Sequence, residues 1–231
     1  MAASAVFGTV ASSSRGALVG IAAAGMWMLV KSKYRVRAIV AATALVMVVL
    51  IVLPPEQKAR FQEAGNDKSS VTRLTYWKRG IQMTEDNPVL GIGYYNWMPY
   101  YQRTYGVIGQ LPHNIFIQAS AELGFSGLAA FLGLIGVTLV VNRRTRRRAA
   151  RSANGRLIFL MAHSFDAAMM GFLASGFFVT VLYYPFFWIN LSMTVALGEV
   201  ARRELVPVAA HAVPAGRRMG IPVLARIPRR A

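Results

Sequence analysis

Long apolar stretches alternate with short basic ones along this chain. No charged residue falls between Gly16 and Val30 or between Ala38 and Leu53. Gly124 to Asn142 is equally free of charge, and Leu157 to Pro185 is interrupted only by His163 and Asp166. Stretches of this length suit a hydrocarbon core of roughly 30 Å crossed at about 1.5 Å per residue. With Phe186 to Gly198 as the last, they predict an all-α, polytopic membrane helix bundle of about five spans.

The interval from 54 to 112 has a different pattern and is expected to be a long extracytoplasmic loop. Ser69 and Ser70 can cap an amphipathic helix over about 69–86, with Val71, Leu74, Trp77, Lys78 and Ile81 along one face. Asn87-Pro88 ends it, and such a helix suits the lipid headgroup region. The stretch that follows, Val89-Leu90-Gly91-Ile92-Gly93-Tyr94-Tyr95-Asn96-Trp97, combines aromatic anchors with two glycines. Those glycines allow a tight turn or a close approach to a ligand.

Pro112 to Val141 could be a single helix of about 45 Å, longer than the core it crosses. Either its first turns protrude or it breaks near Gly124 and Gly127. Helical spacing puts His113, Ile117 and Ser120 on one row and Asn114, Gln118 and Glu122 on the next. That polar strip is expected to face a cavity rather than lipid.

Charge then sets orientation. The 26 Lys and Arg against 9 Asp and Glu give a net charge of +17. Lys31, Lys33, Arg35 and Arg37 mark one short loop as cytoplasmic, and Arg143, Arg144, Arg146, Arg147, Arg148, Arg151 and Arg156 mark another. Because the arginine run is wedged between two spans without interleaved aromatics, topology explains it and nucleic acid is not an expected partner. Cysteine is absent, so no disulfide orders the outer loop. The expected organisation is two spans in 1–53, the outer loop in 54–112, an outer helix and three spans in 113–200, and a basic, disordered cytoplasmic tail in 201–231. The apolar run ahead of Arg15 is too short to cross, so the chain is expected to be the C-terminal part of a larger membrane protein.

His113 is the leading chemical candidate. Pro112 favours a first helical position, which places His113 in the opening turn of an inward-running helix. The partial positive charge there disfavours imidazolium and leaves a ring able to accept a proton from a hydroxyl. A capping or interfacial histidine is the competing account. His163 and Asp166, three residues apart on one helix face, are expected to form an interhelical hydrogen-bonded pair. An outward-facing anabolic enzyme lacks nucleotide sugars and ATP, so it needs a preactivated, membrane-borne donor such as a lipid pyrophosphate-linked glycan. Arg15, Arg73, Arg79 and Arg103 lie on the side where such a leaving group needs cations. Lipid headgroup pairing is the bland account of each arginine alone. His, Asp and Glu at metal-ligand spacing are absent, so no metal is expected.

These residues resemble the O-antigen ligase superfamily of bacterial inner membranes, which also includes polymerases and protein O-oligosaccharyltransferases. His113-Asn114, nine residues, then Gly124-Phe125-Ser126-Gly127 is similar to its pattern of a histidine, a small polar residue and a spaced glycine pair. Ser14-Arg15-Gly16 and the stretch from Arg73 to Gly93 are similar to two further family segments. The resemblance implies metal-independent, cofactor-free, inverting transfer of a glycan from undecaprenyl pyrophosphate on the periplasmic face of the inner membrane. It implies Arg15 and Arg73 on the pyrophosphate and His113 activating the acceptor hydroxyl of a glycolipid, polysaccharide or protein. Arg79 and Arg103 are expected to join the pyrophosphate-binding set, and Asn114, Gln118, Glu122, Gly124 and Gly127 are the expected supporting residues. A polymerase of the same superfamily and a transporter-associated subunit are the alternatives, the latter giving weight to His163 and Asp166.

Overall fold

The computed structural model of the chain describes residues 15–30, 36, 37, 39, 40, 43 and 68–205. Among them are six helices and no strand: α1 (Arg15–Val30), α2 (Lys68–Asp86), α3 (Trp97–Tyr105), α4 (Ile115–Ala149), α5 (Arg156–Gly176) and α6 (Pro185–Glu204). The all-helical class agrees with the sequence pattern. Two helices, α4 and α5, are long and apolar enough to cross a membrane, and α1 is a shorter apolar helix. Most of the expected second span, 38–53, lies outside the described residues. The last expected span corresponds to α6, which continues to Glu204; the remainder of the expected tail, from 206, also lies outside them.

Helices α4, α5 and α6 pack against one another, and α1 lies along α5. Ile115, Ala119, Phe131, Ile135, Met169, Leu182 and Phe187 form the core of that bundle. Close approach of α1 to α5 depends on small residues. A Cβ at Gly20 would sit 2.9 Å from the carbonyl oxygen of Gly171, and one at Gly171 would sit 3.0 Å from that of Gly20. Such contact between backbones is how apolar helices gain dispersion energy where lipid removes the hydrophobic incentive.

Polar residues join the far end of the bundle. Asn142 Nδ2 donates to Asp166 Oδ1 at 2.8 Å and to Thr194 Oγ1 at 3.3 Å, linking α4 to α5 and α6. Arg146 pairs with Asp166 and donates to the carbonyl of Ala162 at 3.2 Å. Asp166 therefore has interhelical partners, and they are Asn142 and Arg146 of α4.

Helix α4 does break, and the break falls at Gly124, with φ 67° and ψ −171°. Breaking a helix strands carbonyls before the break and N–H groups after it. Here the loop from Pro88 to Gly93 takes them up. Ile92 and Gly93 donate to the carbonyls of Ala121 and Glu122, both at 2.9 Å, while Phe125 donates to Pro88 at 2.8 Å. Ser126 Oγ donates to Val89 at 2.7 Å. Neither glycine at this junction has room for a side chain. A Cβ on Gly124 would lie 2.3 Å from Val89 O, and one on Gly91 would lie 2.5 Å from the backbone of both Glu122 and Gly124. The two glycines of the loop were expected to form a turn or approach a ligand; Gly91 does lie in a turn, with φ 68°, and what it approaches is α4.

Helices α2 and α3 stack on the outer piece of α4, Ile115 to Leu123. Met83, Trp97, Tyr101 and Ala121 form their common core. Thr84 Oγ1 donates to Ser120 Oγ at 3.1 Å, joining α2 to α4. Val71, Leu74 and Ile81 remain exposed on the outward face of α2, whereas Trp77 of the same expected face turns inward.

Candidate functional site

His113 lies just outside α4 rather than in its first turn. Asn114 is the N-cap, its Oδ1 accepting from Phe116 N at 2.9 Å and Ile117 N at 3.2 Å, so the helix starts at Ile115. Asparagine is among the best caps, and it takes the role that proline was expected to fill one turn earlier. His113 itself has φ 50°, in the left-handed region. Histidine enters that region more often than most residues, at a cost of about 1 kcal/mol or more. The backbone is held on both sides: Trp77 Nε1 of α2 donates to the carbonyl of Pro112 at 2.7 Å, and the cap fixes Asn114. Trp77 is itself braced edge-on against Phe177, with centroids 5.3 Å apart.

The half-buried ring of His113 meets Thr180, whose Oγ1 is 3.3 Å from Nδ1. Thr180 sits in the connection between α5 and α6. Burial first, and the positive charge of Arg73 second, hold the imidazole pKa below its ordinary 6.5. Both effects favour the neutral ring. Its neutrality comes from desolvation and a neighbouring guanidinium, and the helix terminus is one residue further on.

Of the four expected arginines, Arg73 shares the electrostatic neighbourhood of His113. Arg15 opens α1 beside Gly16, where a Cβ would lie 3.1 Å from Val179 Cγ2, the residue before Thr180. The position of Arg15 is thus at the His113 end of the bundle, while its side chain lies outside the described residues. Arg79 is engaged elsewhere: its guanidinium lies 4.1 Å above the ring of Tyr105, and Nη1 donates to Gln82 Oε1 at 3.1 Å. Arg103 is exposed in the last turn of α3.

The expected supporting residues are brought together, but around a carboxylate. Glu122 is 1% exposed, and its Oε2 accepts from Tyr183 OH at 2.6 Å and from Gln118 Nε2 at 3.2 Å. Its Oε1 accepts from the backbone N–H of Trp97 at 3.2 Å. The row of Asn114, Gln118 and Glu122 thus meets protein polar groups rather than an open cavity. Tyr183 also joins Tyr94 and Tyr95, with ring centroids 4.5 and 5.7 Å away. Burial and the bond to Glu122 push its phenol well above the ordinary range. Gly127 lies in the turn after the break, where a Cβ would collide with Leu123. Among the described residues, no three His, Asp or Glu side chains come together in a way that could hold a metal ion.

Thr180 and Tyr183 did not stand out in the sequence. Both fall inside the apolar run from Leu157 to Pro185, and only their reach across to His113 and Glu122 reveals them.

Apolar helices with a polar, aromatic module seated on one end define a helical membrane protein. The family model for O-antigen ligase matches residues 1–132, and the chain belongs to that family. The matched region includes His113, Asn114, Arg73 and both glycines of the α4 pattern. A search of curated proteins matches none.

Proposed function

We propose that the chain is a membrane glycosyltransferase of the O-antigen ligase type, moving a glycan from an undecaprenyl-pyrophosphate carrier to an acceptor hydroxyl on the periplasmic face. One observation carries this proposal. A neutral histidine stands on a pinned, left-handed backbone just outside an apolar helix, with Arg73 beside it. Neutrality is what a general base requires, and a nearby guanidinium is what a pyrophosphate leaving group requires.

In the proposed reaction Nδ1–H of His113 donates to Thr180, so Nε2 keeps its lone pair. Nε2 takes the proton of the acceptor hydroxyl as that oxygen bonds to the anomeric carbon. The bond from the anomeric carbon to the pyrophosphate oxygen breaks, and undecaprenyl pyrophosphate departs with the electron pair. Arg73 and Arg15 neutralise the departing charge; Arg79 and Arg103 contribute to the field on the same side. Asn114, Gln118, Glu122, Gly124 and Gly127 support the base by fixing the outer piece of α4. No step calls on a metal ion.

The test is a transfer assay in proteoliposomes holding the full chain, a glycan on undecaprenyl pyrophosphate and lipid A core as acceptor, with EDTA present. The expected outcome is transfer that falls by about 10²-fold or more in His113→Ala. An unchanged rate in that variant overturns the assignment of the base. Glycan lengthening on its carrier, with none reaching lipid A core, replaces ligation by polymerisation.

A further inference from the structure

At the opposite end from His113, a cavity of about 550 Å³ opens where α1, α4 and α5 meet. Its lining combines two chemistries. Trp27, Leu139 and Phe159 supply apolar walls, while Arg143, Arg146 and Arg147 bring three guanidiniums from adjacent turns of α4. Asp166 is the one carboxylate in the lining, and it is already paired with Arg146.

That pairing leaves the positive charge unbalanced. Arg143 and Arg147 lie four residues apart, on neighbouring turns of one helix face, where like charges repel. Both are exposed, and among the described residues neither has an acidic partner. Arg146 and Asp166 instead serve as a rigid floor, with Asp166 held by Asn142 as well. Two unpaired guanidiniums beside apolar walls, at the end of a membrane helix, suit an amphipathic anion. The head would be a phosphodiester, taken bidentately by arginine, and the tail would lie on the apolar surface.

We infer that this cavity is a binding site for an anionic phospholipid, with Arg143 and Arg147 holding the phosphodiester and Trp27, Leu139 and Phe159 receiving an acyl chain. The site lies about 19 residues along α4 beyond the break at Gly124, roughly 28 Å at helical rise, so it is separate from the transfer chemistry proposed on the other side of that break. Its occupant offsets the repulsion between Arg143 and Arg147 and, through the chain lying on Trp27, bridges α4 to α1.

The experiment measures thermal unfolding of the full chain in mixed micelles containing phosphatidylglycerol or, at equal mole fraction, phosphatidylcholine. Phosphatidylglycerol is expected to raise the midpoint relative to phosphatidylcholine. The double variant Arg143→Gln/Arg147→Gln is expected to lose that difference, with at least about fivefold weaker lipid binding for each arginine replaced. Arg143→Lys/Arg147→Lys keeps the charge and should keep part of the difference. Arg202→Gln/Arg203→Gln, which removes exposed charge from α6, should keep all of it. An equal response to both lipids, or a full phosphatidylglycerol response in the double Gln variant, overturns the proposal. So does inorganic phosphate alone reproducing the rise, since the tail would then play no part.

Discussion

Thr180 Oγ1 and His113 Nδ1 are 3.3 Å apart, a contact between residues separated by 67 positions that ties the imidazole to the connection between α5 and α6. A ring whose Nδ1–H is committed to a hydroxyl presents Nε2 as the acceptor. In the proposed reaction, where Thr180 accepts from Nδ1–H, it is a positioning residue for His113.

Replacing Thr180 with Val should lower transfer about fivefold, the value of one neutral hydrogen bond of about 1 kcal/mol. Thr180→Ser should restore most of the rate, because it keeps the hydroxyl. Initial rates across a pH series separate this role from a packing role, since loss of the tautomer preference changes the acid limb as well as the maximum. A Ser variant as slow as the Val variant rules out the hydrogen bond.

The acid limb itself should lie below the ordinary 6.5 of histidine. In the proposed reaction His113 acts only when neutral, so activity should fall as pH drops through its lowered pKa. Stability follows the same sign. A depressed folded-state pKa contributes stability that is complete above 6.5 and is lost as pH falls through the folded value. Arg73→Gln removes the second cause of the shift, so its acid limb should move up towards 6.5; a limb that stays put shows that Arg73 does not act on the ring.

Much of this molecule could be read from spacing, and the places that could not share one physical cause. Charge-free runs found α1, α4 and α5, because hydrocarbon leaves the backbone few options. The break at Gly124 was one of two accounts, since one glycine inside an apolar run is tolerated as often as it bends. Chain chemistry set the site's histidine one residue outside its helix, as Asn114 outcompetes Pro112 for the helix start. Thr180, Tyr183 and the partners of Asp166 were hidden because each depends on contacts made far along the sequence. The arginines divided for the same reason: Arg73 and Arg79 are six residues apart, about 120° around a helix, so one faces His113 and the other Tyr105.

Tyr183→Phe deletes the donor closest to buried Glu122 and should destabilise the fold by about 1–3 kcal/mol, read from thermal unfolding in detergent. Glu122→Ala removes the shared acceptor and strands Trp97 N–H, Gln118 and Tyr183 together, so it should cost more. If the two variants unfold at the same temperature, the carboxylate is not the hub that its contacts describe.

At the far end, Asp166→Ala leaves Arg146 with an uncompensated charge at the bundle edge and should cost about 3 kcal/mol. Combining it with Arg146→Met should recover part of that loss, because an apolar pair requires no desolvation of charge. A double variant less stable than the single one contradicts this account.

Gly124→Ala and Gly91→Ala should each be worse than Gly93→Ala, although all three positions have positive φ. At Gly93 the nearest atom to a new Cβ is 3.8 Å away, so only conformational strain of about 1 kcal/mol is added. At the other two, a methyl group strikes backbone that has no way to yield. Comparable unfolding temperatures for all three would remove the basis for the junction.

The splice of residues 88–93 into α4 also has a consequence for biosynthesis. The loop is made before the helix it completes. When Ala121 and Glu122 leave the ribosome, the N–H groups that satisfy them already exist, so the earlier segment serves as the template on which the later helix is finished. A length change anywhere between Asn87 and Asn96 therefore reaches the membrane helix directly, through the carbonyls of Ala121 and Glu122.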